Sequence, residues 1–245
     1  MKQTATVDEA KQKVVILLSG GIDSLTCLAI ARERYLASNI IAVSLSYGQK
    51  HIKELQAAQN ITDFYGVEFI KQELPKIFTG AGSTLVDANK SNPETTYAAL
   101  ASTYGVSPTY VPFRNGNLLS AATAIALVKG AGEVYYGAHA EDARNWAYPD
   151  CTPEFNGAMA NAIYVGTYMK VRLVTPLQYM NKDEVLAIAF KLSAPIHLSW
   201  SCYNGRDKAC GKCPTCVERI NAFKQNGAKD KVKYEIDIDW PEEIF

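Results

Sequence analysis

The sequence predicts an α/β fold with a parallel, Rossmann-like sheet, and three observations carry that expectation. Short continuous apolar runs recur along the chain, as in strands buried on both faces. Each is followed by a helix-length segment rather than a tight turn, the alternation that βαβ crossovers require. The 245 residues, 48% hydrophobic and 20% charged, suffice for one well-buried domain of ordinary balance.

The first strand is expected over residues 14–18 (VVILL), the loop over 19–24 and the first helix over 25–35. A second buried strand over 40–45 leads into the loop Tyr47-Gly48-Gln49-Lys50-His51, a helix over 52–64 and a strand over 67–72. Residues 75–108 break the rhythm with Gly80, Gly82 and Pro93; they read as an insertion, helical near 95–102, and a candidate mobile segment. The alternation resumes with a helix over 117–129 and a strand over 133–136, then a loop through Pro149. A helix over 153–169 and a strand over 171–174 follow. Asn181 and Glu184 have the spacing of a capping box and open a helix to residue 192. A helix over 216–225 closes the pattern, and the chain reads as one domain over 1–245.

Ser19-Gly20-Gly21-Ile22-Asp23-Ser24 lies between a buried strand and a helix, where unpaired N–H groups and the helix dipole favour an anion. Glycines let the backbone approach phosphate oxygens, and Ser19 and Ser24 add hydroxyls. Asp23 does not suit an anion site; its natural use is to hold the Mg²⁺ that accompanies ATP. The segment lacks the Gly-Lys-Ser/Thr of a Walker A loop and the dinucleotide Gly-x-Gly-x-x-Gly pattern. It resembles the PP-loop of ATP pyrophosphatases, which cleave ATP between the α and β phosphates. The ATP-binding candidates are Leu18, Ser19, Gly20, Gly21, Ile22, Asp23, Ser24 and Leu25.

Cys202, Cys210, Cys213 and Cys216 fall within a segment at about 200–220 with two C-x2-C pairs sharing Cys213. Four thiolates at such spacing can surround Zn²⁺ and leave no open position, so the metal is expected to be structural. An iron–sulfur cluster or four unrelated buried cysteines are the alternatives. Cys27 and Cys151 are expected to pack rather than react.

Lys plus Arg equals Asp plus Glu, 25 against 25, so no global field draws the chain to nucleic acid. No apolar run approaches the ~20 residues that cross a bilayer, and the polar N-terminus lacks a signal-peptide stretch. A cytoplasmic location is expected.

The loop at 19–24, residues 47–51, Val111-Pro112-Phe113-Arg114-Asn115, Tyr148-Pro149-Asp150-Cys151 and the cysteine segment occur in one order. Together, over about 13–230, they resemble the QueC family of queuosine biosynthesis, the 7-cyano-7-deazaguanine synthases. The resemblance implies an adenine-nucleotide hydrolase fold with a five-stranded parallel sheet, usually a homodimer with one Zn²⁺ per chain. It implies a ligase that turns 7-carboxy-7-deazaguanine and ammonia into the nitrile with ATP. Asp23, Ser24, His51 and Arg114 are the catalytic candidates, and Arg114, Asn115, Asp142, Tyr148 and Asp150 the substrate-binding ones. Asp142 and Asp150 can each read the N–H donors of a guanine-like edge, or Asp150 is only a turn residue after Pro149. Arg114 suits a carboxylate or phosphate, or a surface ion pair. His51 follows the second strand at the ligand-binding edge, or is a solvated loop residue. His139 and His197 carry no signal.

Two departures from the family pattern fall near the expected pocket. Thr152 stands where Arg commonly follows Pro-Asp-Cys, and residues 143–147 make a longer spacer in which Arg144 is a candidate replacement. Related chemistries remain open: amide formation, transfer of the deazaguanine to another amine, and tRNA thiolation. A zinc-containing nucleic-acid module is a further alternative from another class.

Overall fold

A computed structural model of the chain describes residues 12–50, 53–104 and 106–242. Five strands, β1 (Lys13–Leu17), β2 (Ile40–Ser46), β3 (Glu68–Glu73), β4 (Ala131–Tyr135) and β5 (Arg172–Val174), form one sheet in the order β3-β2-β1-β4-β5. Every neighbouring pair is parallel. β1 is buried on both sides and its side chains alternate between two cores. Val14 and Ile16 pack toward α1 (Ile22–Arg34), α2 (Lys53–Tyr65), α7 (Lys182–Lys191) and α8 (Pro214–Gln225). Val15 and Leu17 pack toward α4 (Arg114–Lys129) and α6 (Pro153–Gly166). The result is three layers, helices on both faces of the sheet. Among the described residues no helix is long and apolar enough to cross a membrane.

Several boundaries differ from expectation, and the differences concern the site. α1 begins at Ile22, so the second half of the 19–24 loop is already the first helical turn. α4 begins at Arg114, which places Arg114 and Asn115 on a helix start instead of in a loop. Phe113, just before it, has φ of 53°, a left-handed conformation that costs a non-glycine residue energy and turns the chain into the helix. α6 stops at Gly166, because Tyr168 and Met169 adopt positive φ. Asn181 opens α7 as expected, its N–H donating to Glu184 Oε2 at 2.7 Å.

The inserted segment packs against the body through Phe78, Leu85, Tyr97 and Leu100, with α3 spanning Tyr97–Tyr104. Asn92 Nδ2 donates to the Tyr203 carbonyl at 3.0 Å, and the Tyr97 and Tyr203 hydroxyls share a hydrogen bond. These contacts tie the insertion to the loop that begins the cysteine segment.

Candidate functional site

Strand order reverses beside β1: β2 and β3 extend one way, β4 and β5 the other. Ligands of open α/β sheets bind at such a switch point, outside the carboxyl ends of the strands. Here the loop after β1 meets the loop after β4, and a cleft of about 240 Å³ opens between them. The two loops approach so closely that a Cβ on Gly137 would lie 3.1 Å from the Asp23 carbonyl carbon. Gly20, at φ +96°, is equally constrained, since a Cβ there would meet the Glu54 carbonyl oxygen at 2.2 Å.

The loop after β1 is held open by its own hydroxyls. Ser19 N–H donates to Ser24 Oγ at 3.2 Å, Gly21 N–H to Ser19 Oγ at 3.3 Å, and Ser24 Oγ to the Gly21 carbonyl at 3.1 Å. Trp200 N–H donates to the Gly20 carbonyl at 2.9 Å, fixing the glycine turn from the far side. Leu18, Ser19, Gly21, Asp23 and Ser24 line the cleft, whereas Ile22 and Leu25 bury their side chains in the core.

Asp23 lines the cleft and is paired within it. Both of its carboxylate oxygens accept from Lys182 Nζ at 2.7 Å, and His139 Nε2 stands 3.8 Å away. Burial works to raise this carboxyl, yet Lys182 and His139 hold it below the ordinary carboxylate range. The same imidazole nitrogen faces Asp142, whose Oδ2 is 3.3 Å from His139 Nε2. Asp142 and Asp23 therefore converge on one nitrogen of His139 at the cleft wall. Two carboxylates there fit Mg²⁺, which binds through one or two carboxylates and substrate phosphates, although Asp23 would share its oxygens with Lys182.

At the other end of the cleft Arg114 donates to the Tyr47 hydroxyl at 3.1 Å and, through Nη2, to Asn115 Oδ1 at 3.0 Å. Asp150 supports this end from behind. Its Oδ2 accepts the Asn115 N–H at 2.9 Å, capping α4, while its Oδ1 is buried without a partner among the described residues. Burial pushes the Asp150 carboxyl up. Asp150 and Tyr148 do not line the cleft; the Tyr148 hydroxyl is spent on Ser107 and Thr109. The expectation that either Asp could read a ligand edge thus separates: Asp142 faces the cleft and Asp150 shapes its wall. His51 lies outside the described residues. Arg144 does not line the cleft either, and Thr152 caps α6 by accepting from Phe155 N–H at 3.2 Å. Cys151 is buried, and burial pushes its thiol well up, as expected of a packing cysteine.

Sequence reasoning missed Lys182, His139, Glu54 and Glu218, all of which line the cleft. Burial raises Glu54 to about 7, with Arg114 opposing.

Beside the cleft, Cys202, Cys210, Cys213 and Cys216 are buried with their sulfurs all within 4.8 Å of one another. Cys210 and Cys216 Sγ are 3.9 Å apart, close to the about 3.8 Å edge of a tetrahedron with metal–sulfur bonds of about 2.3 Å. Backbone N–H groups of Asn204 and Cys210 donate to Cys202 Sγ, and those of Lys212 and Cys213 to Cys210 Sγ, as charged sulfur would require. This set could hold a metal ion.

Residues 13–227 match the family model described as queuosine biosynthesis protein QueC. A 7-cyano-7-deazaguanine synthase of Caldicellulosiruptor bescii is 40% identical over 93% of this chain and all of its own length. The chain belongs to the QueC family. A second such synthase, from Thermoplasma volcanium, is 38% identical to this QueC-family chain over 91% of each. Among solved structures, a U34-tRNA thiolase from Methanococcus maripaludis with its [4Fe-4S] cluster superposes with a TM-score of 0.50 at 20% identity. It covers 91% of this chain and 70% of its own, a likeness of fold alone.

Proposed function

We propose that this QueC-family chain acts as a single-domain 7-cyano-7-deazaguanine synthase, converting 7-carboxy-7-deazaguanine and ammonia to the nitrile at the expense of ATP. The observation that carries the reading is one cleft that joins the 19–24 phosphate loop to Arg114 and Asp142. It does so in a chain matched along nearly its whole length by relatives of that name.

A carboxylate has no leaving group that ammonia can displace at neutral pH, so its oxygen must first be placed on the α-phosphate of ATP. The loop Ser19, Gly20 and Gly21 and the first turn of α1 receive the departing pyrophosphate, chiefly through the N–H groups of Ile22, Asp23 and Ser24; the Leu25 N–H already bonds the Gly21 carbonyl, and Leu18 ends the strand beneath them. Charge that develops there only in the transition state is stabilised by preorganised donors, including the Ser24 hydroxyl. Lys182 adds a cation once phosphate competes with Asp23 for it. Arg114 holds the substrate carboxylate, with Asn115 and Tyr47 fixing its plane. Asp142 reads the guanine-like edge; Asp150 and Tyr148 shape the wall behind. His51 is assigned to charge stabilisation near the α-phosphate. Mg²⁺, held at Asp23 and Asp142, would screen the phosphates.

Ammonia gives an amide, whose oxygen is activated a second time before leaving as the nitrile forms. The cysteine set is read as a structural Zn²⁺ site, because sulfurs converging within 4.8 Å leave room for one ion and none for a multi-iron cluster. The reading carries a homodimer, as the family resemblance implies, in the cytoplasm, with no direct role for nucleic acid.

The test is turnover of the 7-carboxy base with ATP and ammonium, followed by mass spectrometry and nucleotide stoichiometry. Two AMP and two pyrophosphate per nitrile are expected; ADP, or no conversion of the synthetic 7-amide, would overturn the mechanism. One observation favours a second reading, release of the amide or transfer to another amine: Thr152 is committed to a helix cap and Arg144 lies away from the cleft. A clean stop at the amide selects it.

A further inference from the structure

Four acidic side chains among the described residues line the cleft, each in a different setting. Asp23 is paired with Lys182, and Asp142, on α5 (Ala140–Ala143), stands against His139. Glu218 lies by Lys182 on a wall that also bounds a second cavity of about 260 Å³. Glu54 is the acid placed with Arg114. It comes from the first turn of α2, on the opposite face of the sheet from α4, and the two side chains share the cleft without forming an ion pair. The space between them is open to a ligand.

The turn that carries Glu54 is pinned to the phosphate loop. The Glu54 carbonyl oxygen lies so near Gly20 that a Cβ there would meet it at 2.2 Å, and Trp200 N–H holds the Gly20 carbonyl at 2.9 Å. Lys53, the adjacent cation, is drawn away from Glu54. Its Nζ sits 4.5 Å from the centre of the Trp200 ring, donates to the Arg206 carbonyl and lies 3.6 Å from Asp207. Glu54 itself is half-buried and makes no hydrogen bond or ion pair among the described residues. A carboxyl group thus stands in fixed relation to the phosphate loop and to the guanidinium that holds the substrate, with no structural partner.

We propose that Glu54 is the catalytic base of the nitrile-forming half-reaction, taking the N–H proton from the adenylated amide as AMP departs. The assignment rests on the nitrile-forming reading above. Forming the amide makes a weaker demand, because nitrogen that has added to the adenylate is cationic and sheds a proton readily to water or to the leaving AMP. Nitrile formation must break an N–H bond on a neutral nitrogen, a poor acid, and a positioned base is effective there. Burial raises the Glu54 carboxyl to about 7, Arg114 opposing, which makes it a stronger acceptor than an ordinary carboxylate.

The step balances without a further reagent. The amide oxygen attacks the α-phosphate and expels pyrophosphate, leaving a cationic imidate joined to AMP. One N–H proton passes to the Glu54 carboxylate and from there to water in the cleft. Glu54 then takes the second proton, the N–H electron pair becomes the third C–N bond, and the C–O bond breaks with its pair departing on AMP.

The experiment compares wild type, Glu54→Gln and Glu54→Asp, starting once from the 7-carboxy base with ATP and ammonium and once from the synthetic 7-amide with ATP. Products are read by mass and nucleotides by AMP count. For Glu54→Gln we expect consumption of the acid within a few-fold of wild type, accumulation of the amide, and nitrile formation from the amide slower by about 100-fold or more. Retained acid-to-amide turnover also shows that the variant is folded and binds its substrates. Glu54→Asp keeps a carboxylate one methylene shorter and should recover part of the nitrile rate. Equal losses in both half-reactions, or a nitrile rate that Glu54→Gln leaves unchanged, would overturn the assignment. A wild-type protein that makes amide from the acid but no nitrile from the amide would instead overturn the nitrile-forming reading, and the assignment with it.

Discussion

The cysteine knot and the phosphate cleft are neighbours joined by one helix, yet they are built on opposite terms. α8 carries Cys216 into the knot, Glu218 to the cleft and Arg219 into a buried ion pair between the two. In the knot the interactions close on themselves: four buried sulfurs converge, and backbone N–H groups donate to them. In the cleft, charge is left over. Glu54 and Glu218 face it without a hydrogen bond or ion pair among the described residues, and the acidic side of the Asp23–Lys182 pair is 25% exposed. A closed cluster spends its interactions on folding, whereas an open one keeps them for a ligand. Substitutions in the two regions should therefore fail in different ways.

Cys213→Ser should give the largest effect, loss of the fold together with the metal. Metal held by four thiolates contributes on the order of 10 kcal/mol to folding in small structural sites, more than most domains have to spare. Metal analysis beside circular dichroism checks this; a variant that stays folded without metal would remove the contrast. Asp230→Ala comes next. Arg219 and Asp230 meet through two hydrogen bonds of 2.6 and 3.1 Å at a site where both are almost fully buried, and Tyr234 donates to the same carboxylate at 2.7 Å. Removing the acid strands a buried guanidinium, which costs about 3–5 kcal/mol. Denaturant melts measure it, and a loss under about 1 kcal/mol would show that the surface end of this pair is wetter than its burial indicates.

Asp23→Ala should differ in kind: kcat lower by about 10²–10³-fold, with a stability loss smaller than that of Asp230→Ala. The Lys182 and Asp23 side chains are 11% and 25% exposed, so the lysine left behind keeps some access to water. The carboxylate holds Lys182 and stands beside His139 in the cleft, and no part of the core packs on it. Pyrophosphate release beside thermal melts separates the two outcomes, and a large stability loss with retained rate would place Asp23 with the structural pairs.

The same division explains what was legible in the sequence. The sheet, the loop at 19–24 and the four cysteines are written locally, in apolar runs, in glycines between a strand and a helix, and in C-x2-C spacing. The far wall of the cleft is not. Lys182 reaches Asp23 across 159 residues, and no spacing rule connects them. A signal did exist: Lys182 and Arg114 each open a helix, where the dipole disfavours a cation, so each needed a reason to be there. His139 follows β4 at the same sheet edge that drew attention to His51, and the edge rule applies to both. Asp150 was placed in the right neighbourhood but on the wrong side of the wall, because sequence order cannot distinguish lining from backing. Glu218 left no trace, since nothing local in the sequence marks a residue that lines two cavities.

The smallest effect expected is a pH dependence. Glu54 lines the cleft from the first turn of α2, and burial raises it from an ordinary 4.5 to about 7, Arg114 opposing. The folded protein then holds this proton more tightly than the unfolded chain, so the associated stabilisation is complete below about 4.5 and is lost as pH rises through about 7. Asp23 acts the other way, its depressed carboxyl favouring the fold above the ordinary aspartate range. That contribution is common to the wild type and a Glu54 variant and cancels in their difference. Glu54→Gln should therefore flatten the fall in melting temperature between pH 5 and 8 and leave the variant the more stable protein at the upper end. Thermal melts of both proteins across that interval decide it. Parallel curves would mean that Glu54 is solvated in the folded state, and the cleft would then be wetter at its α2 edge than at the Lys182 wall.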